Sequence, residues 1–273
     1  MAEKFLVIGD SSFYGSNFIK LVESKGDVAV GMSFRDWRTN PAFDVADYVV
    51  NFAAANIVAD SWIQPAEYVR VNVVEHTGLL EVLRAGGMPL KKYVHVSTPE
   101  VYGSVDAWVT EDQPFNPSTP YAVSRACTDM MLMAYHKAYG FPAVITRTAN
   151  IYGPGQPENR IITKALECKK RGIELQLDGG GNTVRCFIHV RDACEGIYIA
   201  AVNGRSGETY HISGWTPLHI RELVKILGCQ WVSASERLAK DYAYKLDSTK
   251  IRKLGWMDKI NLEEGLKECE SYR

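Results

Sequence analysis

Phe5-Leu6-Val7-Ile8-Gly9-Asp10-Ser11-Ser12-Phe13-Tyr14-Gly15 joins a short apolar run, a glycine-punctuated turn and the start of a helical pattern. A strand that turns into a helix presents the helix's first N–H groups at the turn, where they suit a phosphate. Within Gly9-x-x-Ser12-x-x-Gly15, Gly9 permits the tight turn and Gly15 permits close packing of helix on strand. Ser12 stands where a further glycine is expected, with a hydroxyl able to bond a phosphate. The stretch predicts a dinucleotide pyrophosphate held by Gly9, Ser11, Ser12, Phe13, Tyr14 and Gly15.

Further along, apolar runs alternate with helical patterns. Gly15–Ser24 reads as a helix, Val28–Met32 and Tyr48–Phe52 as strands, and Ile63–Ala85 as one long helix. Tyr93–Ser97 reads as a strand, Tyr121–Tyr139 as a helix and Ala143–Arg147 as a strand. Short buried strands alternating with helices predict an α/β fold with a doubly wound parallel sheet and right-handed crossovers. Only about 14 residues, Ser33 to Ala46, precede the Tyr48 strand, too few for a full helix and strand. Either that crossover is shrunken or a strand is missing. Beyond Tyr152 the chain is richer in Gly and Pro. The expected division is a dinucleotide-binding Rossmann domain over 1–153, joined by 187–202, and a smaller C-terminal substrate-binding lobe over 154–186 and 203–273.

The residue ending the second strand separates two cofactors. An acid there holds a ribose 2′-hydroxyl. This chain has Ser33, with Arg35 two positions on, a pattern that leans from NAD toward NADP.

Bulk properties exclude several classes. The chain has 273 residues, 46% of them hydrophobic, and a net charge of -1, which suggest neither nucleic acid nor a membrane surface. No apolar run approaches about 18 residues, and the N-terminus lacks a signal-peptide pattern. Six scattered cysteines without a close pair suit reduced thiols in the cytoplasm, and no metal site is expected.

The chemistry concentrates in Tyr121-Ala122-Val123-Ser124-Arg125. A Tyr and a cation four apart share one helix face. A phenol beside a fixed positive charge titrates lower and can serve as a general base. Ser97-Thr98-Pro99-Glu100-Val101-Tyr102-Gly103 places a hydroxyl and a carboxylate just after an apolar run.

With these residues in view, the chain resembles the extended short-chain dehydrogenase/reductase family, most closely its nucleotide-sugar 4,6-dehydratases. Asn51-Phe52-Ala53-Ala54 looks like the strand end that lines the cofactor, and Asn72 like the Asn that organises the central helix. Asn150, in Arg147-Thr148-Ala149-Asn150-Ile151-Tyr152-Gly153-Pro154, is similar to the Asn set against the sugar nucleotide. Arg185 matches an Arg that clamps the substrate diphosphate, and Leu254-Gly255-Trp256 resembles a C-terminal signature. The resemblance implies a cofactor site of Phe52, Ala53, Ala54, Asn72, Tyr121 and Arg125 beside the glycine turn. It implies a substrate site of Thr98, Glu100, Asn150, Arg160 and Arg185. Tyr121 would take the 4-hydroxyl proton as hydride passes to the nicotinamide, with Thr98 bonded to the same oxygen. Glu100 would take the C5 proton, water would leave C6, and the hydride would return there. A homodimer through Ile63–Ala85 and Tyr121–Tyr139 is implied as well. Two departures stand out: Pro99 occupies an Asp position, and Arg125 a Lys position. An epimerase, a decarboxylase or a silent nucleotide-sugar-binding protein are the alternatives.

Overall fold

The structure, a computed structural model, describes residues 2–38, 46–86, 90–236 and 241–272. The first half runs β1 (Lys4–Ile8), α1 (Phe13–Ser24), β2 (Val28–Met32), β3 (Tyr48–Asn51), α2 (Val58–Ile63), α3 (Pro65–Val69), α4 (His76–Ala85), β4 (Lys92–Ser97), β5 (Trp108–Val109) and α5 (Pro120–Tyr139). The second runs β6 (Ala143–Thr148), β7 (Asn150–Tyr152), α6 (Ile161–Arg171), β8 (Leu175–Asp178), β9 (Val184–His189), α7 (Val190–Asn203), β10 (Thr209–Ile212), β11 (Pro217–His219), α8 (Ile220–Ile226), β12 (Trp231–Ala234), β13 (Ala243–Leu246), α9 (Thr249–Arg252) and α10 (Leu262–Ser271).

Six strands form a parallel sheet in the order β10-β6-β4-β3-β1-β2. Alternate residues of β1 feed two cores, as a strand's period of two requires. Phe5 and Val7 pack with Phe18 and Val22 of α1 and Ile197 of α7. Leu6 and Ile8 pack with Leu79, Leu80 and Leu83 of α4 and Leu132 of α5. Apolar residues on both faces of a strand need helices on both faces, which is the doubly wound arrangement.

The sheet ends at β2, where Val28 and Val30 are exposed. Ser33 to Trp37 instead make a 3-10 turn, and buried Trp37 packs on Gly78 of α4. The rest of the short crossover, 39–45, lies outside the described residues.

Two sequence expectations meet a different outcome. The helix expected over Ile63–Ala85 is interrupted: Pro65 has no N–H to donate, and Gln64 before it leaves the helical region at φ -130 and ψ 56. Arg70–Glu75 then winds as a π-helix. In the second half, α7 packs on α1 and on the sheet, whereas β9 pairs with β7, β11 and β13 in a second sheet. Thr209–Ile212, within the range assigned to the lobe, forms β10 beside β6. Leu175, Leu177, Ile162, Leu166, Leu223 and Leu227 make the smaller core of the lobe. No described helix is long and apolar enough to cross a membrane.

Candidate active site

At the C-terminal ends of β1, β3 and β4 the glycine turn, the Asn51 strand end and the Thr98 turn come together, the side on which parallel sheets bind ligands. Gly9 has φ +85, and a Cβ there would stand 3.1 Å from the amide nitrogen of Ala53. At Gly15 a Cβ would meet the Gly9 carbonyl oxygen at 2.3 Å. These contacts make a cradle that only glycine leaves open. Ser12 has a different role from the one expected. Its hydroxyl donates to the Gly9 carbonyl at 2.6 Å and accepts from the Gly15 amide at 3.0 Å, capping α1. The proton that would reach a phosphate is committed to the turn. The first-turn amides of Phe13 and Tyr14 remain the natural phosphate donors. The Tyr14 hydroxyl turns inward to Thr148.

The strand end after β3 is organised by two buried amides. Asn51 donates to the Tyr93 hydroxyl and accepts from the Ala53 amide. Asn72, in the π-helix, accepts from the Ala55 amide at 2.8 Å and donates to the Ala55 carbonyl and Ser124. Its own carbonyl, freed by the wider winding, accepts from the Thr128 hydroxyl. Asn72 therefore ties the Phe52-Ala53-Ala54 loop to α5, its amide used up on protein groups; it shapes the cofactor wall from behind.

Ser33 caps its 3-10 turn by accepting from the Arg35 amide at 3.3 Å, and Arg35 is exposed. Asp10 was absent from the sequence expectations, yet its carboxylate lies against Gly31 of β2: a Cβ on Gly31 would be 2.6 Å from Asp10 Oδ2. An acid thus approaches the end of β2 from the glycine turn.

Thr119 caps α5, and Tyr121 in its first turn is buried. A hydrogen bond with Thr98 and the charge of Arg125 both favour the phenolate. Burial outweighs them and, with the Glu100 charge, raises the Tyr121 pKa above its ordinary value. This corrects the expectation of a lowered one. The same balance places Glu100 within electrostatic range of Tyr121 and gives Arg160, at the start of α6, a weak lowering influence. Arg125 is 1% exposed. Its Nη2 donates to the Val96 carbonyl and contacts His95 Nε2 at 3.1 Å. Nε and Nη1 have no partner among the described residues.

Arg185 also departs from its expected role as a free clamp. Its Nη1 donates to the Val184 and Tyr242 carbonyls and its Nη2 to that of Asp241. The guanidinium stacks over Tyr244 at 4.1 Å. Tyr244 is the residue that sequence reading missed. It is 5% exposed, its hydroxyl donates to Asn150 Oδ1 at 3.4 Å, and Glu100 and Tyr121 lie in its electrostatic field. Burial raises its pKa, so it stays a neutral donor. Nothing in its strand neighbours marks it, because β13 reaches the site through its pairing with β9 and β5, strands distant from it in the chain. A cleft of about 460 Å³ at the glycine turn contains Ser11 and Phe13 but none of the Tyr121 cluster.

A parallel sheet with a glycine cradle, and a buried Tyr with a cation one turn on, define an extended short-chain dehydrogenase/reductase. A family model described as GDP-mannose 4,6 dehydratase matches residues 42–269, and the chain belongs to that family. The chain is 38% identical over 232 residues to a dTDP-glucose 4,6-dehydratase of Streptomyces antibioticus, covering 81% of this chain and 68% of the relative. It is 33% identical over 286 residues to one from Actinoplanes sp., covering 98% and 87%. The fold superposes on a dTDP-glucose 4,6-dehydratase of Streptomyces venezuelae, solved with NAD and TYD bound, with a TM-score of 0.91 at 30% identity, covering 98% of this chain and 96% of that one.

Proposed function

We propose that the protein removes water across C5 and C6 of a nucleotide-activated hexose through a 4-keto intermediate. The observation that carries this reading is the buried Tyr121–Thr98 pair with the Glu100 carboxylate in its field. Tyr121 takes the proton of the 4-hydroxyl while Thr98 holds the same oxygen. Glu100 takes the C5 proton, which the adjacent carbonyl acidifies. A 4-epimerase needs no base at C5, so Glu100 favours dehydration. Pro99 offers the departing 6-hydroxyl neither a side-chain donor nor an N–H. Tyr244, a neutral phenol beside Glu100, is suited to supply that proton. Asn150 and Arg160 bind the substrate from the side of the lobe, with Arg185 stacked on Tyr244, and the two-part division into dinucleotide-binding and substrate-binding regions belongs to this reading.

The glycine cradle fits a nicotinamide dinucleotide, which when bound supplies the acceptor and donor of hydride. Arg35 favours a 2′-phosphate and Asp10 opposes it; Arg35 carries the preference for NADP. Replacing Arg35 with Ala should shift the ratio of NADP to NAD affinity toward NAD by roughly tenfold, the weight of one charge-assisted contact. An unchanged ratio removes Arg35 from the site.

The function is tested by incubating the protein with nucleotide-activated hexoses in deuterated water. The expected product has lost one water and gained one deuterium at C5. Glu100→Gln should lower the rate by on the order of 10²–10⁴ and abolish the deuterium uptake. Turnover without solvent deuterium at C5 would reject dehydration in favour of a 4-epimerase. We place the protein in the cytoplasm as a homodimer. Val69, Val74 and Val82 on α3, the π-helix and α4, with Val123 and Met130 on α5, expose apolar side chains on neighbouring helices suited to face a second copy. Sedimentation as a monomer at micromolar concentration would reject the dimer.

A further inference from the structure

Asp10 follows Gly9 in the glycine turn, and its side chain runs across to β2. The Gly9 amide donates to the Met32 carbonyl at 2.9 Å, which ties the turn to the C-terminal end of that strand. A Cβ on Gly31 would stand 2.6 Å from Asp10 Oδ2, 2.8 Å from its Cβ and 3.1 Å from its Cγ, so the Asp10 side chain lies over a residue that has none. Gly31 has no positive φ, so conformation does not call for glycine there; the space taken by Asp10 does. Asp10 Oδ1 accepts from the Ser11 amide at 2.8 Å, and Asp10 accepts no other hydrogen bond among the described residues, which leaves Oδ2 available. Asp10 is half-buried and Gly31 is exposed, so the carboxylate borders open surface.

Parallel sheets bind ligands at the carboxyl ends of their strands, and a dinucleotide-binding site takes the acid that holds a ribose 2′-hydroxyl from the end of the second strand. Here that strand ends Val30-Gly31-Met32-Ser33 and carries no acid. Met32 is buried, and Ser33 caps its own 3-10 turn. Asp10 brings a carboxylate to the same strand end from the glycine turn. An ionised carboxylate only accepts, so it suits a hydroxyl that donates to it and repels a phosphate. Arg35, exposed and four residues beyond Gly31, has the opposite character: a fixed positive charge and a fork of donors.

We propose that Asp10 is a specificity residue of the cofactor site: its Oδ2 accepts from the adenosine 2′-hydroxyl, and Gly31 provides the gap that admits the carboxylate. The acid of the strand end has in effect moved to the glycine turn. The inference rests on the reading that this turn holds a nicotinamide dinucleotide. Arg35 and Asp10 then read one ribose position with opposite charges. Arg35 retains a 2′-phosphate and Asp10 retains the bare hydroxyl, so the site takes both dinucleotides, and the ratio of their affinities reports the balance.

The test is calorimetric titration of the purified, dinucleotide-free protein with NAD, with NADP and with NAD lacking the adenosine 2′-hydroxyl, for wild type, Asp10→Ala, Asp10→Asn, Gly31→Ala and the double variant Asp10→Ala/Gly31→Ala. Asp10→Ala should weaken NAD roughly tenfold, the scale of one hydrogen bond to a charged group, and should tighten NADP. The deoxy analogue should bind wild type and Asp10→Ala equally, since it has no hydroxyl for the carboxylate to hold. Gly31→Ala displaces the carboxylate, so it should weaken NAD in the wild-type background and leave NAD binding unchanged in the Asp10→Ala background. Equal loss of NAD and NADP in Asp10→Ala would make Asp10 a residue that only shapes the turn and would overturn the proposal. Loss of the deoxy analogue to the same extent as NAD would overturn it too. If Asp10→Ala does not fold, Asp10→Asn decides: it keeps an acceptor for the Ser11 amide and loses the charge, so a fall in the ratio of NAD to NADP affinity supports the proposal and an unchanged ratio overturns it. A wild type that binds neither dinucleotide overturns the cofactor reading itself, whereas binding of both in a ratio indifferent to Asp10 overturns only the role given to Asp10.

Discussion

Tyr121 is pulled in two directions. Burial raises its pKa, and Arg125 and the Thr98 hydrogen bond bring it back down. As a base it works only as phenolate, so activity should rise with pH along a limb set by this balance. Arg125→Met removes the largest lowering influence and should move that limb to higher pH, with little turnover near neutrality. Arg125→Lys keeps the charge, and the Coulomb influence needs only the charge, so its limb should stay in place. Tyr121→Phe should cost on the order of 10²–10⁴ in turnover at every pH. The check is a pH–rate profile across these variants; an Arg125→Met profile superimposable on wild type would make Arg125 electrostatically irrelevant. The Tyr-x-x-x-Arg spacing was legible from sequence because helix periodicity alone puts both side chains on one face. The sign of the net pKa shift was not, because it depends on how much of the sheet and the 3-10 turn covers the phenol.

Among the elements, the β1-turn-α1 unit shows how little tolerance the cradle has. A Cβ at Gly15 would stand 2.3 Å from a backbone oxygen that cannot move without opening the turn. Gly15→Ala should therefore destabilise the protein by roughly 1–3 kcal/mol, the usual penalty of overpacking, and abolish dinucleotide binding. Chemical denaturation and calorimetric titration read the two effects separately; retained binding would mean that the turn relaxes and that helix–strand contact is not what glycine provides. In the π-helix of Arg70–Glu75, the extra residue in the turn lets Asn72 reach Ala55 and Ser124 together. Its Asn was legible in the sequence, but the winding was not. A continuous apolar periodicity masked both the Pro65 break and the π turn.

Across the molecule, four buried histidines are held neutral: His76 and His211 are lowered to about 3, His189 to about 4, and His95 well below the ordinary value, each first by burial. The unfolded chain binds a proton at each below about 6.5, whereas the folded chain does not. Their contribution to stability is complete above that pH and is lost as pH falls toward 3–4, by about 1.4 kcal/mol per unit for each histidine. The urea midpoint should fall steeply between pH 6.5 and 4 on this basis. A midpoint flat across that range would mean that these histidines titrate normally. Replacing His211 with Gln should lessen the slope while weakening the contacts to Tyr102 and Val109.

What the sequence by itself determined is local or periodic. The alternation of apolar runs specified a doubly wound parallel sheet, the glycine spacing specified the phosphate turn, and the four-residue spacing put Tyr121 and Arg125 together. These depend only on steric limits and repeat lengths within a few residues of chain. Tertiary structure alone decided the rest. It brought Asp10 against β2 and engaged Arg185 with the carbonyls of Asp241 and Tyr242. It carried Tyr244 on β13 into the electrostatic field of Glu100 and Tyr121, and set His95 between Arg125 and Asp129. Each of these contacts joins residues from separate elements. Their partners are chosen by strand order and helix packing, which no spacing along the chain encodes.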